Sequence, residues 1–511
     1  MNSNMVPHRV MLRRWLVAAL AVLTLVSAQS TALAKASAKV YVVLWFDTED
    51  YLLPASDDAA LRLAEFLSRE GIRATFKVVG EKARTLVARE RFDVIAALKK
   101  HEIGYHSNFH SVQPSPAMYL STLGWDDGVD EFDRREGAGR DDVEHIFGQA
   151  PSCYGQPGSS WGPQTFGGMR RWKMPVYLDA GSHVALDGNP HYYCGLLTLY
   201  KLTHTIRTEL TGESALRAAE DRFQGGRQAL LDEGGGVVSI LYHPCEFVHK
   251  KFWDGVNFSG GANPPREKWQ KPPQKTPQES AVAYQTFESY IRFIRGFDDV
   301  RFITAREAAE LYRDRARGRR FTADELKQIA AGVGDDVTFQ RRGDYCLSAA
   351  EVLWLLNQFV AGQSDKTAAA PVVLEQAPLG PVEAAVALED EVTADWSQVV
   401  RTAADVADLM TKQGRVPTTV WLGSTGVPPE SYLVAIAEVA SKLLAGGSAP
   451  EQIVFRPAKL AAAKYVSDDG PHLWGWVIFP PGFRAPRMME LAKRQAWTIK
   501  PAVLGTLEEM R

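Results

Sequence analysis

Val40-Tyr41-Val42-Val43-Leu44-Trp45-Phe46-Asp47-Thr48-Glu49-Asp50 begins with seven apolar residues and ends with three acids in four positions. An unbroken apolar run of this length, bounded by polar residues, reads as a strand buried on both faces, as in a parallel sheet. Outward from it the pattern alternates. A helix carrying Leu61, Leu63, Ala64, Phe66 and Leu67 stops at Gly71, and a strand follows at 74–79. A helix at 92–99 leads to a short strand at 102–105, and further strands are expected near 152–154, 176–178, 237–242 and 300–304. Strand and helix alternating from 40 to about 317 predict a barrel-like α/β domain of about seven parallel strands. Asp47, His106, Asp179 and His243 each fall at or just after the end of an expected strand, the rim where parallel α/β folds bind ligands.

The full chain has 511 residues, 45% hydrophobic and 23% charged, which allows two to four globular domains and excludes disorder, collagen or a multi-span membrane protein. Lys and Arg number 58 against 61 Asp and Glu, so no basic excess exists to neutralise phosphates, and nucleic acid is not an expected partner. Arg9, Arg13 and Arg14 precede the apolar run Trp15 to Val26, and Ala32-Leu33-Ala34 fits a small-residue cleavage site. Residues 1–34 therefore read as a signal peptide cleaved near Ala34, with export to the periplasm or beyond. Cys153, Cys194, Cys245 and Cys346 show no C-x-x-C spacing; disulfides and free buried thiols both stay open.

His106-Ser107-Asn108-Phe109-His110 follows a strand, and two His at i and i+4 share one face of a helical turn, where both can reach one metal. Asp47, Glu49 and Asp50 crowd three acids at the end of the first strand, and a cation eases their repulsion. Two His and one carboxylate leave open positions, as a hydrolytic metal centre needs.

Five motifs in order carry a resemblance: Phe46-Asp47-Thr48-Glu49-Asp50, Glu102 to His110, Tyr154-Gly155-Gln156-Pro157-Gly158, Leu178-Asp179 and Leu241-Tyr242-His243-Pro244. Over 40–304 the chain resembles the polysaccharide deacetylases, the NodB-homology or carbohydrate esterase family 4 group. The resemblance implies a distorted (β/α) barrel and a metal-dependent hydrolase that removes acetyl groups from N-acetylated, or O-acetylated, polysaccharide outside the cytoplasm. It implies Asp47 as catalytic base, His243 as the acid that protonates the leaving amine, and Asp179 as the residue that orients His243. It assigns His106, His110 and Glu49 to a divalent metal, zinc first, with Asp50 as the fallback for Glu49. Members usually carry Arg-x-Pro in the third motif, the Arg pairing with the catalytic Asp. Gly155-Gln156-Pro157 brings no charge, so Asp47 either keeps a different pKa or takes its cation from elsewhere.

Two alternatives compete. Gly158-Ser159-Ser160-Trp161-Gly162 fits the G-x-S-x-G of a serine esterase using Ser160. The other is a non-catalytic glycan-binding protein on the same fold, which the missing Arg and an aromatic loop favour. That loop, Cys245 to Gln278, contains Trp253 and Trp269 and reads as a substrate-covering segment or an insertion. His101 and His145 read as solvated surface residues, and Trp125 and Trp172 as packing.

The expected layout is a signal peptide (1–34), a deacetylase-like domain (35–318) and a mainly helical α+β C-terminal domain (319–511). Tyr345 to Phe359 and Pro428 to Leu443 resemble each other, each a polar start and then a Leu-rich amphipathic helix. Gln413 to Pro417, Val420-Trp421 and the Pro429 helix are distantly similar to pseudomurein-binding-type cell-wall repeats, which implies a cell-envelope polymer as partner of this domain. A lid or an oligomer contact is the alternative.

Overall fold

The computed structural model describes residues 38–364 and 371–505, so the expected signal segment and part of the polar break near 361–370 lie outside the described residues. Ten strands occur in the first part of the chain: β1 (Val40–Thr48), β2 (Thr75–Val78), β3 (Glu102–Tyr105), β4 (Cys153–Tyr154), β5 (Val176–Leu178), β6 (His191–Tyr193), β7 (Leu196–Leu199), β8 (Thr205–Ile206), β9 (Gly236–Tyr242) and β10 (Val300–Ile303). Together with a terminal strand, Lys500–Pro501, they form one eleven-stranded sheet in the order Lys500–Pro501, β6, β7, β5, β4, β3, β2, β1, β9, β8, with β10 also on β1. The sheet is curled and open, and it is parallel except where β6 pairs with β7 and with the terminal strand. The seven expected strands are all present. β6, β7, β8 and the terminal strand are additions, none longer than four residues and too short to show a period.

β1 organises the sheet. β9 pairs along one edge from Val40 to Phe46, while the other edge is shared, β10 on Val40 to Val43 and β2 on Trp45 to Thr48. Every residue of β1 is buried, and its side chains alternate between two cores as the pleat requires. Val40, Val42, Leu44 and Phe46 join the larger core, which the outer helices cover. Tyr41, Val43 and Trp45 join the other face, which helix Ala305–Leu311 closes. Asp47 continues the second set and so emerges inside the mouth of the barrel, where the odd-numbered positions run out of apolar neighbours.

A second core covers 316–455 and contains two copies of one layout. Helix Ala323–Ala331, hairpin Gln340–Leu347 and helix Ala349–Ala361 form the first; helix Trp396–Gln413, hairpin Val420–Val427 and helix Pro429–Leu444 form the second. The first helix of each copy packs on the last helix of the other. Both hairpin turns place a glycine at positive φ, Gly343 at 60° and Gly423 at 67°, where residues with a Cβ are strained.

From Lys459 onward the chain returns mostly to the first core, with Trp497 still buried in the second. Ala462, Val466, Leu473, Met488, Leu491 and Ile499 are buried in the barrel core. The division therefore differs from the expected boundary at 318/319: the barrel body takes in most of residues 459–505 as well, because its outermost strand and part of its apolar cover come from them. All four cysteines are free and buried.

Candidate active site

Asp47, Glu49, His106, His110, Gln156, Asp179 and His243 all line one cavity of about 680 Å³ at the C-terminal ends of the strands. The backbone reason is uniform: each sits one to five residues beyond the last buried apolar position of β1, β3, β4, β5 or β9, where the sheet stops and side chains can face the mouth.

His106 and His110 come together without a helix. Ser107 and His110 are left-handed, at φ 66° and 56°, and this tight turn brings the two imidazoles to 5.0 Å between centroids. The expected helical face is thus replaced by a turn in an uncommon backbone region of the sort found at functional sites. His106 Nδ1 donates to the carbonyl of Gly155 at 3.0 Å, so its Nε2 is left bearing the lone pair. His106 Nε2 and His110 Nε2 lie 3.7 and 2.8 Å from Glu49 Oε2; the His110 nitrogen pairs with the carboxylate, while that of His106 makes no hydrogen bond. Glu49 Oε1 is likewise buried without a hydrogen-bond partner. Unpaired nitrogen and oxygen atoms buried together in this way fit a divalent cation, and a ring nitrogen fixed by a carbonyl is the usual outer support of a metal-binding histidine. Asp50 faces elsewhere: its Oδ2 lies 3.1 Å from His249 Nδ1, and its backbone carbonyl accepts from Lys82 at 2.6 Å. Glu49 rather than Asp50 therefore joins the two histidines.

The cation beside Asp47 is Lys77, which the sequence reading did not single out. It stands in mid-β2, fully buried, with Nζ 2.9 Å from Asp47 Oδ1 and 2.9 Å from Asp179 Oδ2, and it donates to the Leu178 carbonyl at 2.9 Å. Trp45 lies beneath it, the ring centroid 4.1 Å from Nζ. A Cβ at residue 155 would come within 1.9 Å of that nitrogen and 2.4 Å of Asp179 Oδ2, so glycine at this position is what gives the ammonium room. Burial would lower the Lys77 pKa, but Asp179 and Asp47 outweigh it and hold the amine charged. Burial would raise Asp47, but His106, Lys77 and His243 hold it below the usual carboxylate range. Asp179 is pushed up to about 7 by burial, with Lys77 opposing and the charge of Asp47 adding.

Asp179 does not orient His243, contrary to expectation. Glu246 does: its Oε2 lies 3.1 Å from His243 Nδ1 and accepts from the His243 backbone N–H at 2.9 Å, and Arg207 pairs with the same carboxylate. This leaves His243 Nε2 facing the cavity, 3.6 Å from Asp47 Oδ2. Burial would lower the imidazole pKa, yet Glu246, Glu49 and Asp47 raise it to about 9, so the ring is protonated at neutral pH.

Other expectations fare differently. Ser160 is fully buried, its hydroxyl donating to Ser115 Oγ at 2.8 Å and accepting from the Ala117 N–H at 2.7 Å, so no substrate can reach it. Trp253 is fully buried against Tyr51 and Trp269 rather than offered to a sugar, although its loop does deliver Phe252 and Asp254 to the cavity. His101 is buried, bonded to the Ala64 carbonyl at 2.8 Å. Sequence reasoning missed Lys77, Glu246, Asp254 and Trp476. Only Glu246 carried a signal, since Pro244-Cys245-Glu246 after His243 places a carboxylate at capping-box spacing.

No family model matches the chain, and no curated protein matches it. The solved structures it resembles over about half of its length include polysaccharide deacetylases, carbohydrate esterase family 4 members and an allantoinase. One, from Mycobacterium smegmatis and described as a polysaccharide deacetylase, is 14% identical over 54% of this chain and 90% of its own, with a TM-score of 0.36. A family 4 acetyl xylan esterase from Clostridium thermocellum, solved with a cobalt ion, is 18% identical over 53% and 91%, at 0.26. A family 4 pseudoenzyme from Bacillus anthracis is 14% identical over 52% and 65%, also at 0.26.

Proposed function

We propose that the protein is a metal-dependent hydrolase that removes acetyl groups from an N-acetylated polysaccharide, and that it works outside the cytoplasm. The observation that carries this reading is the pairing of Asp47, held ionised beside Lys77, with His243, held protonated by Glu246, at 3.6 Å across one buried His-His-Glu cluster. Binding alone requires neither a charged base nor an acid tuned against it.

Glu49, His106 and His110 would hold the ion, zinc first. Once bound it would polarise the acyl carbonyl and lower the pKa of a water beside it. The remaining work belongs to side chains. Asp47 Oδ2 takes a proton from the attacking water as the oxygen–carbon bond forms. His243 Nε2–H gives its proton to the departing nitrogen as the carbon–nitrogen bond breaks, which an amine needs because its anion is a poor leaving group. Lys77 keeps Asp47 ionised until then, and Glu246 fixes which ring nitrogen of His243 carries the transferable proton. An O-acetyl ester would use the same groups with less need of the acid. The export reading rests on the pattern of residues 1–34.

Acetate release from a panel of N- and O-acetylated glycans tests this, before and after chelation and zinc restoration, with His106→Ala in parallel. Loss of release on chelation and in the variant, with metal content falling alongside, is the expected result. Glycan binding with no metal and no release would make the barrel a recognition scaffold.

A further inference from the structure

The cavity is completed by a part of the chain far from the barrel motifs. His472, Gly475, Trp476 and Val477 line it together with the Asp47 and His243 groups. The segment 472–478 is anchored at both sides. The Trp476 backbone N–H donates to Ser159 Oγ at 3.0 Å, in the loop after β4, and its indole N–H donates to Asp254 Oδ2 at 2.7 Å, in the loop after β9. The Val477 carbonyl accepts from the Gly260 N–H at 2.9 Å, and the Ile478 carbonyl from Gln113 Nε2 at 3.2 Å, in the loop after β3. Ile478 is fully buried among Tyr51, Val79, Trp253 and Phe258. These contacts make the segment a fixed strap across the mouth and not a free loop.

Its ring position is specific. Trp476 stands edge to face with the His110 imidazole at 5.2 Å, and it fills the space over residue 158, where a Cβ would lie 2.2 Å from the indole. Gly158, at φ 54°, is therefore needed for the loop and the ring to meet. On the opposite flank the cleft stays open. Arg207, Lys251 and Phe252 line both this cavity and a second one of about 490 Å³, so further open space adjoins the His243 side across Phe252.

We infer that the strap makes the site one-ended: the acyl group is taken from a chain terminus or a short molecule whose remaining units extend past Phe252, and not from the interior of a polymer. A bound polymer needs the cleft clear on both flanks of the reacting unit, and Trp476 with its two anchors occupies the His110 flank. This deepens the deacetylase reading and rests on it. Trp476 acts on specificity through shape, and its ring takes no proton and forms no bond.

Oligomers of β-1,4-linked N-acetylglucosamine, one to six units long, test the inference with the full mature chain loaded with zinc. The position of each lost acetyl group is read by tandem mass spectrometry, and binding of the same oligomers by calorimetry. The intact protein is expected to clear one terminal unit and to disfavour internal units by about tenfold or more, a difference of 1.4 kcal/mol or greater. Trp476→Ala, and a second variant with 473–478 replaced by a short glycine bridge, should lose that discrimination. The affinity of the intact protein should stop rising with length where the open flank is filled, and rise further in the variants. Internal release at terminal rates by the intact protein overturns the inference and leaves the deacetylase reading standing. Length-limited binding without release does the reverse. Neither release nor binding overturns both.

Discussion

At the scale of single residues, the arrangement around Asp47 makes demands that can be measured. Removing the ammonium with Lys77→Met leaves two buried carboxylates side by side, and loss of one partner from a buried ion pair costs about 3–5 kcal/mol. We expect a matching drop in the urea midpoint together with loss of acetate release; an unchanged midpoint would mean that the ion pairs contribute nothing net. Gly155→Ala forces a methyl against Lys77 Nζ, Asp179 Oδ2 and the Leu178 carbonyl, and overpacking of this kind costs about 1–3 kcal/mol. Its effect should shrink in the Lys77→Met background, since the two changes meet at one point. Asp47 and His243 were readable in the sequence because each follows an apolar run that ends abruptly, and His106 because His110 stands four residues on. Lys77 was not readable: in Thr75-Phe76-Lys77-Val78 a lysine inside a short strand is indistinguishable from one pointing to solvent. Residue 155 looked like a deficiency in the motif, although it is the vacancy that Lys77 fills. His101 misled for the converse reason, since its partners, Ser68 and the Ala64 carbonyl, lie on another helix.

At the scale of elements, the strongest local signals are the Ser/Thr-x-x-Glu starts. Thr276, Thr304, Thr322 and Ser348 each cap a helix, with Glu279, Glu307, Glu325 and Glu351 returning the bond. Thr304→Ala removes the cap of the helix that closes the inner core, and a loss of about 1 kcal/mol is expected in chemical denaturation. The β1 and β9 strands were legible because burial makes each a long apolar run, whereas the 23-residue helix Trp125–Phe147, rich in charged residues and glycine, was not. β6, β7 and β8 escaped because they are only two to four residues long and carry buried polar residues such as His191 and Thr198. The faint likeness of the two C-terminal helices acquires a structural meaning, since they hold equivalent places in a duplicated layout.

At the scale of the whole molecule, buried histidines couple stability to pH. His183 is held at about 3 by burial with the charge of His472 adding, and His191 at about 4 by burial against its bond to the Asn189 carbonyl. Both are depressed, so the unfolded chain binds protons first as pH falls below about 6.5. Each thus contributes stability that is complete above that value and lost on the way down to the folded pKa, at about 1.4 kcal/mol per pH unit. Asp179, raised to about 7, gains stability over part of the same range, so the variants isolate the effect better than the bare curve. Unfolding free energies at pH 6.5, 5.5 and 4.5 should fall less steeply in His183→Gln and His191→Gln than in the parent chain; parallel curves would show that neither ring resists protonation.

The terminal strand, pairing Lys500 with Tyr192 and Pro501 with His191, has a further consequence for how the molecule comes into being. A polypeptide is made from its N-terminus, and the barrel motifs emerge hundreds of residues before the strand and strap that finish the same cavity. Lys500 also reaches Asp314 and Glu351 at 2.7 Å, so a segment synthesised well after the barrel motifs locks the junction between the two cores. Contacts so distant along the chain close slowly. The newborn chain therefore holds Asp47, His106 and His243 before the segments that complete the cavity have been made, and the pocket is finished only when those segments pack over the mouth.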